Sequence, residues 1–214
     1  MEKDLSNYRK IYSQKILSEK DITDNPMQLF QEWFLEAESS ETVDEANAMT
    51  LSTLGLDGFP KARVVLLKRY TYEGFIFFTN YDSEKGKAIA ANPNVCCSFF
   101  WAGLERQIII KGKAEKIADN LSDGYFESRP LGSRLGAIVS PQSEVIPNRE
   151  YLEEKLHTLE KEFESKQPER PKFWGGYLVR PQEIEFWQGR PNRLHDRIRF
   201  RLADMDWIME RLAP

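Results

Sequence analysis

Five arginines, Arg190, Arg193, Arg197, Arg199 and Arg201, fall within twelve residues of one another. Read as a strand, RLHDRIRFR turns Arg193, His195, Arg197, Arg199 and Arg201 to one face and Leu194, Ile198, Phe200 and Leu202 to the other. Guanidiniums and an imidazole sharing a face without a carboxylate repel one another unless water, an acidic neighbour or a bound anion compensates. Two readings follow. The face is either an exposed edge strand whose charge blocks edge-to-edge pairing, or a phosphate site, for which the planar fork of arginine offers paired hydrogen bonds. A second basic element, KARVVLLKRY, brackets an apolar core with Arg63 and Lys68; on a regular strand these two face opposite sides, which suits two anions better than one unless a bulge intervenes. A third, SEKGK, opens a helix with Ser83 and Lys85, where free backbone N–H groups and the helix dipole favour an anion.

Other catalytic sets are thin. Of the two histidines, His157 sits in a run of glutamates and lysines that reads as a solvated helix face, which leaves His195 among the arginines and makes a histidine-rich metal site unexpected. The chain has no G-x-S-x-G elbow, no Walker A sequence and no G-x-G-x-x-G dinucleotide turn. Cys96 and Cys97 are adjacent in an apolar run, where a disulfide between neighbours is strained and a metal lacks thiolates; they read as packing residues. Many anion-binding groups beside few acids, bases or nucleophiles point to chemistry carried by a cofactor whose phosphate is held by side chains.

These groups need a scaffold. With 214 residues, 41% of them hydrophobic, the chain can form one compact domain. No run approaches the roughly 18 to 20 apolar residues of a membrane helix, and MEKDLSNYRK is charged rather than signal-like, so a cytoplasmic protein is expected. A net charge of −4 argues against a general nucleic-acid or membrane binder. The first ~45 residues read as helical, with Asp24 and Asn25 as cap candidates, Pro26 in a first turn, and Met27, Phe30 and Phe34 on a face that should lie against a sheet. From Ala48 the texture changes to strands, MTLSTLG, KARVVLLKRY and FIFFTN, joined by the turns LDGFP and TYEG. The helix SEKGKAIAANP precedes two more, VCCSFFW and ERQIIIKGKAEKI. DNLSDGYFESRP and LGSRLGAIV read as short helices, and Arg149 to Lys166 as a longer one with Leu152, Leu156, Leu159 and Phe163 at helical spacing. FWGGYLVRP, EIEFWQ and RLHDRIRFRL are the last strand candidates, with WIMERLAP as a further one. Hairpin-linked strands with helices between them predict an α+β antiparallel barrel or sheet.

The segment IEFWQGRPNRLHDR, Ile184 to Arg197, resembles the signature of the pyridoxamine 5'-phosphate oxidase family. RVVLLK at Arg63 to Lys68, FTNYDSEK at Phe78 to Lys85, LERQ at Leu104 to Gln107, YFESRPLGS at Tyr125 to Ser133, SPQS at Ser140 to Ser143 and the final ERLAP agree with it, so that the likeness runs from about Arg9 to Pro214. It implies an α+β, antiparallel, FMN-binding split β-barrel with peripheral helices: a single domain over 26–214, preceded by a mobile or helical segment, 1–25, that covers the site. It implies a homodimer with sites shared across the interface. It also implies oxidation of pyridoxamine or pyridoxine 5'-phosphate by O2 to pyridoxal 5'-phosphate, with hydrogen peroxide, and ammonia from the amine, as by-products. Carried over by position, FMN would be contacted by Arg63, Val64, Val65, Leu66, Leu67, Lys68, Phe78, Thr79, Lys85, Gln107, Gln142, Ser143, Trp187 and Arg197. Substrate would be contacted by Arg9, Lys10, Ile11, Tyr12, Lys68, Tyr125, Arg129, Ser133, Arg193, Leu194 and His195, with Arg193 and His195 as the catalytic pair over the pyridine ring. One departure concerns Glu84, where the family commonly has arginine before the lysine. A split-barrel flavin reductase acting on another substrate, or a non-catalytic pyridoxal-phosphate carrier, are the competing readings; the first need not keep Tyr125, Arg129, Ser133, Arg193 and His195 together, and the second would lack flavin absorbance.

Overall fold

The computed structural model describes all 214 residues. Helix α1 (Pro26–Glu38) begins where the sequence supplies a cap: Asn25 is extended, its side chain accepts from the Met27 N–H, and Pro26 occupies the first turn, where no N–H is needed. Residues 1–25 contain no helix, so the expected helical stretch shrinks to α1. The reason is a lack of burial. Leu5, Tyr8, Ile11 and Ile16 are exposed and only Leu17 is buried, while the Ser13, Gln14 and Leu17 amides bond to carboxylates of other segments instead of to a helical turn.

The remaining elements are β1 (Ala48–Leu54), β2 (Pro60–Leu66), β3 (Arg69–Thr71), β4 (Gly74–Asn80), α2 (Glu84–Ala91), β5 (Asn94–Trp101), β6 (Arg106–Lys116), α3 (Asp119–Ser128), α4 (Leu131–Val139), α5 (Glu150–Glu162), β7 (Trp174–Gln188), β8 (Asp196–Ala203) and β9 (Asp206–Leu212). The nine strands run in the order β2-β1-β5-β6-β7-β4-β3, with β8 pairing β7 and β9. The β3–β4, β4–β7, β7–β8 and β8–β9 ladders are antiparallel.

Two expected strands are one. FWGGYLVRP and EIEFWQ form the continuous β7, which pairs with β4 through Trp174–Val179 and with β8 through Glu183–Gln188. Pro181 falls between these two pairings, where its missing N–H removes no rung from either. Conversely, KARVVLLKRY is two strands: the chain leaves β2 at Leu66 and joins β4 through β3 at Arg69, with the Lys68 N–H already bonded to the Ile76 carbonyl at 2.9 Å.

The chain forms two compact units. The first comprises Met1–Met49, Cys97–Lys111 and Pro181–Pro214, the second Thr50–Cys96 and Gly112–Arg180. In the first, α1 lies on strand residues as its apolar face demands: Phe30 meets Phe99 at 5.5 Å between centroids, Trp33 meets Phe186 edge-on at 5.2 Å, and Phe186 meets Phe200 at 5.9 Å. Each fully buried phenylalanine contributes about 1.5–3 kcal/mol relative to exposure. In the second, Phe75 and Phe77 of β4 are fully buried, and Phe77 stacks on Tyr177 of β7 at 5.7 Å. Strand β5 alternates despite its apolar run, burying Val95, Cys97, Phe99 and Trp101 and exposing Phe100, so Cys97 packs inward. No helix is long and apolar enough to cross a membrane.

Candidate functional site

The second unit holds a cavity of about 340 Å³ lined by Arg63, Val64, Val65 and Leu66 of β2, Lys68 of the following break, Phe78 and Thr79 of β4, Lys85 of α2, Tyr125 of α3, Arg129, Gln142 and Trp174. The break after β2 is what brings Arg63 and Lys68 to the same cavity. The expectation that they serve opposite sides fails because it presumed one regular strand.

The lining carries four cations and no acid. Arg63 is oriented by its own neighbours, donating from Nη1 to the Thr53 hydroxyl at 2.8 Å and to the Leu51 carbonyl at 3.2 Å. Lys85 donates to Gln142 Oε1 at 2.7 Å, and the Thr79 hydroxyl reaches the same oxygen at 3.4 Å. Burial, aided by repulsion from Arg63 and opposed by Glu84, pulls the Lys85 ammonium down to a pKa of about 8. Burial also lowers Arg63 and Arg129. Arg129 Nη1 is buried without a hydrogen-bond partner. A guanidinium N–H left dry and unpaired is costly unless an anion meets it.

One wall is aromatic. Phe78 and Tyr125 stack with centroids 3.9 Å apart, Trp174 lies 5.6 Å from Phe78, and the Arg129 guanidinium sits 4.8 Å over the Trp174 ring. Cationic donors beside stacked rings suit a planar, phosphorylated aromatic ligand, so the residues present fit the flavin mononucleotide and pyridoxyl phosphate that the sequence resemblance implies. Helix α2 supports this corner: Ser83 caps it by accepting from the Gly86 N–H, which holds Lys85 in its first turn. Glu84 points elsewhere, into an ion pair with Lys61.

Three residues expected here lie beside the cavity. Leu67 is buried at 3% exposure and faces the core, because the chain turns between β2 and β3. Ser133 lines an adjoining hollow with Asn80, Gly136, Ala137 and Ser140 that shares Arg129, Gln142 and Trp174 with the main cavity. Ser143, at φ 75°, lines a further hollow with Asp82, Glu84 and Lys87. Trp174 was missed by the sequence reading; its only signal was an aromatic opening a strand.

The other expected site residues, Gln107, Trp187, Arg193, Leu194, His195, Arg197 and the segment Arg9–Tyr12, belong to the first unit, where Tyr12, Trp187 and His195 pack on one another. Strand β8 begins only at Asp196. Arg193 closes a 3-10 turn over Pro191–Arg193, where Asn192 and Arg193 both hold left-handed backbone, at φ 57° and 62°. The expected single cationic face therefore fails: Arg193 and His195 are off the strand. Those that remain are paired by carboxylates from neighbouring strands. Arg197 meets Glu185, Arg199 meets Glu210 and Glu183, and Arg201 meets Glu210. Arg199 and Arg201 are thus structural ion pairs, and no anion is needed to explain them.

His195 is held by its surroundings. The Arg190 N–H donates to His195 Nδ1 at 3.1 Å, which leaves the ring proton on Nε2. Trp187 lies 4.7 Å from the imidazole between centroids, and Tyr12 packs edge-on to both, 5.7 Å from Trp187 and 5.8 Å from His195. Burial, then the Arg193 charge, lowers the His195 pKa below its ordinary value, with Asp196 opposing. Both effects favour the neutral imidazole, which offers a hydrogen-bond donor at Nε2.

PhzG from Burkholderia lata 383, solved in complex with tetrahydrophenazine-1-carboxylic acid, superposes with a TM-score of 0.86 at 27% identity, covering 93% of this chain and 98% of that one. A pyridoxamine 5'-phosphate oxidase-related, FMN-binding protein from Nostoc punctiforme gives 0.70 at 16% identity over 90% and 100%, a likeness of fold. The architecture is the α+β split-barrel class. Residues 35–161 match the family model described as pyridoxamine 5'-phosphate oxidase, and 174–214 the model described as the pyridoxine 5'-phosphate oxidase C-terminal dimerisation region. The chain belongs to the pyridoxamine 5'-phosphate oxidase family. It is 68% identical to a pyridoxine/pyridoxamine 5'-phosphate oxidase of Flavobacterium psychrophilum over 99% of this chain and all of that one, and 63% identical to one of Flavobacterium johnsoniae over 98% and 99%.

Proposed function

We propose that this protein oxidises pyridoxamine or pyridoxine 5'-phosphate to pyridoxal 5'-phosphate, using FMN and O2 and releasing hydrogen peroxide, with ammonia from the amine. The observation that carries the reading is the acid-free cavity in which Arg63, Lys68, Lys85 and Arg129 meet an aromatic wall. FMN, when bound, supplies a two-electron acceptor for a hydride from substrate C4' and passes the electrons to O2.

The chain's own groups bind and orient. Arg63, Lys85 and Gln142 would hold the cofactor phosphate, with Val64, Val65, Leu66, Phe78, Thr79, Gln107, Ser143, Trp187 and Arg197 contributing further contacts to the cofactor. Lys68, Tyr125, Arg129 and Ser133 would hold the substrate phosphate, the unpartnered Nη1 of Arg129 being the donor that most needs an anion. Arg193 and the Nε2–H of His195 would hold the substrate so that its reacting carbon is oriented toward the cofactor. The segment Arg9–Tyr12 would close over them. The match of 174–214 to a dimerisation region supports a homodimer, and the family likeness is the ground for expecting its sites to be shared across the interface.

The test is a visible spectrum of the purified protein followed by an aerobic assay with pyridoxamine 5'-phosphate, scoring pyridoxal 5'-phosphate and hydrogen peroxide together. A colourless protein, or a yellow one that leaves the substrate untouched, would refute the assignment.

A further inference from the structure

Glu105 stands out among the carboxylates of the first unit. Its side chain is only 4% exposed, yet the only cation recorded against it is Lys10, 3.8 Å from Oε1, and that lysine is half exposed. What satisfies it is the N-terminal segment: Oε2 accepts both the Ser13 N–H at 2.8 Å and the Gln14 N–H at 3.1 Å. The same residue grips β7 through its backbone. Held in left-handed conformation at φ 55°, Glu105 offers its carbonyl to the Gly189 N–H at 2.7 Å and to Gln188 Nε2 at 3.2 Å.

Gly189 is the floor on which the segment rests. A Cβ there would stand 2.8 Å from Tyr12 Cβ and Cγ and 3.1 Å from Glu105 Cβ, so only glycine permits this approach. Gln14 Nε2 adds a bond to the Gly103 carbonyl at 2.8 Å. One buried carboxylate therefore ties the residues following Tyr12 to the end of the strand that leads into Arg193 and His195. In the docked position the segment's own amides take the place of water at that carboxylate, so the two hydrogen bonds and the seating of Tyr12 form together.

We infer that Glu105 is a positioning residue: by accepting the Ser13 and Gln14 amides it seats Tyr12 against Trp187 and His195, and so builds the substrate side of the site. The inference rests on the oxidase reading above for its kinetic consequence and on the hydrogen bonds alone for its structural one. Glu105→Ala removes both acceptors, and Glu105→Gln keeps one oxygen on an unchanged skeleton and carries the test if the alanine variant folds poorly. In FMN-loaded full-length protein, Glu105→Ala raises KM for pyridoxamine 5'-phosphate roughly ten-fold, the scale of one charge-assisted hydrogen bond, with kcat changed far less and flavin content unchanged. Glu105→Gln falls between. In a Tyr12→Ala background the same substitutions add nothing, because their effect runs through that ring. Amide hydrogen exchange at Ser13 and Gln14 accelerates in both variants whether or not substrate is present. Additive KM effects with Tyr12→Ala, or unchanged exchange at the two amides, would overturn the inference. An inactive wild-type protein with accelerated exchange in the variants would sink the oxidase reading and leave the latch standing.

Discussion

Arg197 of β8 and Glu185 of β7 pair diagonally across the β7–β8 ladder, whose register sets Arg197 opposite Trp187, with Arg197 Nε 2.7 Å from one carboxylate oxygen and Nη2 3.1 Å from the other. This forked pair fixes the guanidinium plane, and Nη1 is spoken for by the Ala213 carbonyl at 2.8 Å. The pairing raises the Arg197 pKa, Glu185 being its first cause. The side chain of Glu185 is 10% exposed. An arginine so committed can still present an edge to a ligand, but its removal strands a buried carboxylate.

Arg197→Ala is therefore expected to do two things. It lowers stability by about 1–3 kcal/mol, less than the full cost of breaking a deeply buried pair because Arg197 is partly exposed, and it weakens FMN retention. Arg197→Ala combined with Glu185→Gln should recover the stability without the retention. Denaturant melts and flavin titrations of both variants check this, and a recovery of retention in the double variant would remove Arg197 from the cofactor contacts.

Lys85 gives a pH dependence. Its pKa in the ligand-free protein is lowered to about 8, whereas a bound phosphate favours the charged form and raises it. FMN affinity is then flat below about pH 8 and falls as pH rises above it, because the ammonium must be reprotonated to meet the anion. Lys85→Arg, which stays charged, should flatten the profile. Fluorescence titration of FMN into apo-protein from pH 6.5 to 10, at the order of tenfold loss per pH unit at most, decides it; an unchanged slope in the arginine variant would point to another group.

Arg129 is expected to act on the substrate side alone. Arg129→Ala leaves flavin bound and raises KM for pyridoxamine 5'-phosphate by about ten- to a hundred-fold, the range for a lost charged hydrogen bond. Lysine in its place restores the charge without the fork or the stacking over Trp174, and should recover the loss only in part. Equal KM values in wild type and Arg129→Ala would place the substrate phosphate elsewhere.

His195→Ala and Arg193→Ala should lower kcat/KM by about 10²–10⁴ while flavin content holds. Since the His195 pKa lies below its ordinary value, the acid limb of kcat/KM that depends on it should lie on the acid side of the ordinary imidazole range in wild type and vanish in the alanine variant. Loss of flavin in either variant would contradict their placement on the substrate side.

Glu84 remains a mild perturbation. It is paired with Lys61 and its side chain is 44% exposed, yet its charge reaches both Arg63 and Lys85. Glu84→Arg should tighten FMN binding by no more than about 0.2–1 kcal/mol, and only at low salt, as for a surface charge. Titration at two ionic strengths checks it, and weaker binding at low salt would refute it.

Local chemistry was legible in the sequence wherever one segment contained its own cause. The Asn25–Pro26 start of α1, the Ser83 cap before Lys85, the existence of β5 and the cations at 63, 68 and 85 follow from residue type and spacing, since caps and periodicity act over a few residues; Arg129 came only from the family resemblance. Whether a charge is free or spent is a matter between segments, and there the tertiary structure decided. For Arg199 and Arg201 the sequence left an edge-strand and a phosphate-site reading open, and Glu210 of β9 and Glu183 of β7 account for their charges. Arg63 and Lys68 share a cavity because β3 joins β4 instead of continuing β2. Trp174 joins Phe78 and Tyr125, and Glu105 gathers the amides of Ser13 and Gln14, contacts between segments far apart in the chain. Pattern within a segment fixes which groups exist and which way a regular backbone turns them; only strand pairing and burial determine which opposite charge, ring or amide each one meets.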